Sequence, residues 1–71
     1  MRLLYLNDAG VLKVIEIMRA EVSGDCVKIL INSNLSKLIT YNNQYEAEAA
    51  VVKLAETGCL DARFRTIIDT N

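Results

Sequence analysis

Histidine is absent from the 71 residues. That removes the commonest general base and the commonest metal ligand together. Proline is absent too, and the three glycines, Gly10, Gly24 and Gly58, each fall at a break between apolar segments. They act as punctuation rather than as a phosphate-binding loop. Cysteine is limited to Cys26 and Cys59, far apart and without a Cys-x-x-Cys motif. That spacing suits neither a disulfide framework nor a zinc site, and each reads most simply as a small core residue. No apolar run reaches the ~18 residues of a membrane span. The opening Met1-Arg2-Leu3-Leu4-Tyr5-Leu6 is too short for a signal peptide and has no small-residue cleavage site behind it, so the expected location is cytoplasmic.

A dominant charge is also missing. Eight basic and nine acidic residues are scattered without a run of one sign, and the net charge is -1. A nucleic-acid binder usually carries a basic stripe that neutralises phosphates, and none is visible along this chain. What the sequence does have is apolar side chains, at 52%. Chains of this length form one domain and bury only about 60% of their unfolded surface. The apolar content therefore exceeds what one small core can hide, and oligomerisation is a standard remedy.

The hydrophobic period changes at Asn42-Asn43-Gln44-Tyr45-Glu46-Ala47-Glu48, from two to between three and four. Before that point the residues read as strands. Leu3 to Leu6 is a short apolar strand, followed by Asn7-Asp8-Ala9-Gly10 as a type I turn closed by Gly in the left-handed region. Val11 to Val22 is ambiguous. Its five β-branched residues and a Gly10 that would sit in a first helical turn favour strand over helix. Ser23-Gly24-Asp25 turns into a strand over Cys26 to Asn32. Ser33-Asn34-Leu35-Ser36 then turns into Lys37 to Tyr41. With that four-residue loop, Leu30 faces Ile39 and Lys28 faces Tyr41, which leaves neither face of the hairpin cleanly polar.

After the switch, a helix runs from about Gln44 to Thr57, with Asn42 or Asn43 as N-cap and Gly58 as terminator. Its apolar stripe is Ala47, Ala50, Val51, Leu54 and Ala55. Arg63 to Ile68 alternates enough for an edge strand. The expected fold is α+β: a single domain over residues 1–71, with an antiparallel meander of about four strands, one amphipathic helix, and a possible C-terminal edge strand. The rival is a ferredoxin-like βαββαβ plan with residues 9–22 helical and Asp8 as its N-cap.

No catalytic, cofactor-binding or metal-ligating set is expected. Glu46, Glu48, Glu56 and Asp61 could be assembled into a cation site only on paper, because Glu46 and Glu48 lie two apart on a helix and do not face each other. Neither cysteine has a histidine to activate it, so no enzyme is expected. The expected function is a non-enzymatic interaction or accessory module. It would be a homodimer joined through an apolar sheet face, with Leu30, Ile39, Tyr41 and Tyr45 as interface residues, and no membrane as partner. In size and charge the chain resembles small accessory proteins of bacteria or their phages. The alternative is a small nucleic-acid-binding regulator, in which Phe64 stacks a base, Arg63 and Arg65 hold phosphates, and Lys28 and Lys37 join from the sheet.

Overall fold

The structure, a computed structural model, describes residues 1–70. Among them are seven strands and one helix: β1 (Arg2–Leu6), β2 (Leu12–Glu16), β3 (Arg19–Ser23), β4 (Cys26–Asn32), β5 (Leu35–Thr40), α1 (Gln44–Thr57), β6 (Cys59–Asp61) and β7 (Ile67–Thr70). They form an α+β fold with two sheets. One sheet has the order β2-β1-β6 and the other is the antiparallel meander β3-β4-β5-β7. In the first, β1 pairs antiparallel with β2 and parallel with β6. The return from α1 into β6 makes that parallel pair possible, since parallel neighbours need a crossover between them.

Residues 11–22 are extended, which excludes the ferredoxin-like plan. They do not form one strand, however, because the chain leaves the first sheet after Glu16 and enters the second at Arg19. At this corner the buried Ile17 amide donates to the Met1 carbonyl and the Met18 amide to the Leu30 carbonyl. Inward parity also switches there. Ile15 packs on the core before the corner, whereas Ala20 and Val22 do so after it. Leu12 and Val14 are thereby left on the outer side, away from the face that Ala20 and Val22 share.

The β4–β5 register differs from the expected one. The loop is the two-residue Ser33-Asn34, with Asn32 Oδ1 accepting from the Asn34 amide at 2.8 Å, and Asn32 is paired with Leu35. A bulge at Ile31 follows, so that Leu30 faces Ser36, Lys28 faces Leu38 and Val27 faces Ile39. The shift is an odd number of residues, and an odd slip exchanges the two faces of a strand. Val27, Ile29 and Ile39 consequently share the inner face, each fully buried, beside Tyr41. The other face carries exposed Lys28 among half-buried Leu30, Leu38 and Thr40. The hairpin is therefore not evenly apolar on both sides.

Helix α1 lies on the inner side against β3, β4 and β6. Its boundaries follow from its caps. Asn43, in extended backbone, accepts from the Glu46 amide at 2.9 Å, while Glu46 reaches back to the Asn43 side chain. That reciprocal arrangement resembles a capping box. At the far end Gly58 adopts φ +78 and donates to the Leu54 carbonyl. Ala47 and Leu54 are buried and Ala50 and Val51 partly so, but Ala55 is exposed. The core joins both sheets and the helix through Leu3, Val27, Ile29, Ile39, Leu54 and Leu60.

The C-terminal edge strand is present as β7, paired with β5. It is shorter than the alternation suggested, because residues 63–66 are a turn. Ser36, buried on β5, donates its hydroxyl to the Thr70 carbonyl, and this ties the strand down.

Candidate functional site

Two surfaces stand apart from the core, and the first is the outer face of β1 and β2. The Asn7–Gly10 turn fixes its register. Asn7 Oδ1 accepts from the amides of Ala9 and Val11 at 3.0 and 2.9 Å, and Gly10 takes φ +76. The side-chain amide thus substitutes for a backbone turn, as Asx turns do. From that turn Leu6 meets Leu12, Leu4 meets Val14 and Arg2 meets Glu16. These even-numbered residues point away from Leu3 and Ile15, which sit on the core.

The result is a cross-strand block of Leu4, Leu6, Leu12 and Val14 on the outer side, with Leu12 53% and Val14 55% exposed and Leu4 half-buried. Within β2 only Ile15 is even partly buried. The block ends at Arg2 and Glu16, where the Met1 ammonium lies 3.7 Å from the Glu16 carboxylate. Sequence reasoning located the apolar surplus on the β4–β5 hairpin and so missed this face. The alternation of Leu4, Leu6, Leu12 and Val14 across the Asn7–Gly10 turn carried the signal.

The second surface is a cleft of about 350 Å³ between the start of α1, β6 and the 63–66 turn, lined among others by Tyr41, Tyr45, Glu46, Lys53 and Arg65. Tyr41 is buried, and its hydroxyl is held above its usual range by that burial, partly opposed by the Arg65 guanidinium. Arg65 lies 4.6 Å from the Tyr41 ring centroid and 3.5 Å from Glu46. Tyr45, in the first turn of α1, is 81% exposed.

Of the expected interface residues, only Tyr41 and Tyr45 come together. Ile39 is fully buried on the inner face, and Leu30 lies on the opposite face of the meander beside Ser36. Ile39 therefore belongs to the core and cannot line a free surface.

The alternative nucleic-acid set is dispersed as well. Lys28 is exposed on the outer face of the meander, whereas Lys37 faces inward, bound to Asp69 with its ammonium 5.0 Å from the Tyr5 ring centroid. Phe64 stands 87% exposed in the turn that precedes β7. Both neighbouring arginines already face carboxylates. Arg63 grips Asp61 through Nε and Nη2 at 3.0 and 2.8 Å, and Arg65 faces Glu46. The Arg63 hydrogen bonds hold the Asp61 carboxyl below its usual range.

Neither cysteine lies in the core, since both are partly buried free thiols. Cys26 Sγ donates to Asp25 Oδ1 at 3.3 Å. That bond to an anionic acceptor, with some desolvation, raises its pKa and disfavours the thiolate that nucleophilic chemistry needs. Among the described residues, no three His, Cys, Asp or Glu side chains converge as a metal cage, and no helix is long and apolar enough to cross a membrane. No family model matches the chain, and no curated protein or solved structure matches it either.

Proposed function

We propose that the chain is a non-enzymatic interaction module that self-associates through the exposed β2 end of the β2-β1-β6 sheet. The observation that carries this reading is the outward-facing block of exposed Leu6, Leu12 and Val14 beside half-buried Leu4 on the β1–β2 hairpin. β2 pairs on one side only and is exposed over most of its length, so it gains from a covering surface. The chain's near-neutral charge of -1 sets no barrier to pairing two copies. Sedimentation equilibrium tests the reading: Leu12→Asp or Val14→Asp converts a dimer into a folded monomer with an unchanged helical signal. A wild-type mass that is already monomeric at high micromolar concentration overturns it.

Exposed Phe64 favours a second reading, a base-stacking contact with single-stranded nucleic acid. The carboxylate partners of Arg63 and Arg65 weigh against it, because phosphate binding would have to displace them. It requires salt-dependent binding that Arg63→Ala/Arg65→Ala abolishes.

A further inference from the structure

The backbone of β2 specifies how two copies would meet. The Asn7 amide donates to the Val11 carbonyl, and the Ile17 amide to the Met1 carbonyl. In an antiparallel ladder, hydrogen-bonded pairs alternate with non-bonded ones. With Leu3 opposite Ile15 and Tyr5 opposite Lys13, the pairs that point their polar groups at each other are the odd-numbered ones. The amides and carbonyls of Leu12, Val14 and Glu16 therefore point away from β1. Because β2 ends its sheet, they reach an open edge with no backbone or side-chain partner among the described residues.

Building on the self-association reading, we infer that β2 pairs antiparallel with β2 of a second copy about a two-fold axis at Val14, joining the two β2-β1-β6 sheets into one six-stranded sheet. That register places Val14 opposite Val14 and Leu12 opposite Glu16 in both directions, so all three outward-pointing residues exchange both backbone hydrogen bonds. A closed two-fold contact of this kind uses one patch on both subunits.

Neighbouring registers are poorer. An axis at Lys13 sets two ammonium groups against each other in a close non-bonded pair, which is destabilising. An axis at Ile15 leaves the Leu12 edge groups unpaired. With the axis at Val14, Lys13 faces Ile15, and the outer side becomes a continuous row running Leu4, Val14, Val14, Leu4 across the junction. The pairing satisfies the open backbone edge of β2 and gives Leu12 and Val14 cross-strand neighbours on the side that β1 leaves free, while the outer face of the joined sheet stays apolar.

Two measurements on the full chain test it. The first is amide hydrogen exchange by NMR at concentrations above and below dimer dissociation. The Leu12, Val14 and Glu16 amides gain roughly tenfold or more protection in the dimer, while Lys13 and Ile15, already bonded to β1, change little. The second is Val14→Cys in a Cys26→Ser/Cys59→Ser background, which cross-links into a dimer on mild oxidation, whereas Tyr45→Cys does not. A dimeric mass with freely exchanging Leu12, Val14 and Glu16 amides and no cross-link overturns the edge pairing and leaves face-to-face packing. A monomeric mass overturns the edge pairing and the proposed function together.

Discussion

Leu4 and Val14 are direct cross-strand partners on the side of the first sheet that the helix does not reach. Their neighbours in sequence, Leu3 and Ile15, are also partners, but on the core side, where Leu3 is fully buried. One two-stranded ribbon thus serves two apolar surfaces, of which only the inner one is filled by its own chain. Truncation should separate them. Leu3→Ala removes a fully buried side chain and should cost about 3 kcal/mol in urea unfolding. Val14→Ala, from a side chain more than half exposed in the monomer, should cost the monomer under about 0.5 kcal/mol.

Ile39 gives a matching test of the meander register. Lying opposite Val27 with no exposure, Ile39→Ala should destabilise by about 3 kcal/mol. Leu30→Ala, on the half-buried outer face, should cost clearly less. Equal losses would contradict the register described above.

The ends of α1 make a third test. Asn43→Ala removes the acceptor of the Glu46 amide and should cost about 1 kcal/mol, with Asn43→Ser largely restoring stability. At Gly58 an added Cβ would meet nothing within 4 Å. Any loss in Gly58→Ala therefore comes from holding alanine at φ +78, about 1 kcal/mol. Circular dichroism with urea titration reads both.

Acid should weaken the β6 end through Asp61. Its folded pKa lies below the unfolded value because Arg63 donates to it. The contribution is thus present above the ordinary carboxylate range and is lost as pH falls through the folded pKa. Because both side chains are about half exposed, the effect is small. Arg63→Gln should be less stable than the wild type at about pH 7 and indistinguishable from it at about pH 2. A difference that persists in acid would assign Arg63 a role other than this pair.

Cys26 should be a slow nucleophile near neutrality, since its thiol donates to Asp25 and its pKa is raised. Asp25→Asn removes the anionic acceptor and should speed alkylation by iodoacetamide roughly two- to fivefold at about pH 8. An unchanged rate would show that the carboxylate does not govern the thiol.

Much of the fold was legible from residue order. The Asn-rich switch, the cap at Asn43 and the stop at Gly58 delimit α1 as they stand in the chain, because capping is local chemistry read within a few residues. The Asn7–Gly10 turn was legible for the same reason. The β4–β5 register was not. Ser33, Asn34 and Ser36 all suit a turn, and the bulge at Ile31 that decides the pairing leaves no local mark. That slip grouped Ile39 with Leu30 and Tyr41, although it lies opposite Val27 in the core. The corner at Ile17–Met18 was hidden for a different reason. A strand that changes sheets also changes inward parity, so the alternation across 11–22 looks blurred although each half is regular. Tyr41 and Tyr45 were legible as boundary residues, but the carboxylate partners of Arg63 and Arg65 depend on tertiary placement.

The corner has a mechanical implication. Only Ile17 and Met18 separate β2 from β3, and both amides of that joint are pinned, one to Met1 of the first sheet's end and one to Leu30 of the meander. An occupant on Leu12 to Glu16 would therefore sit two residues from Arg19, where the meander that carries the helix begins.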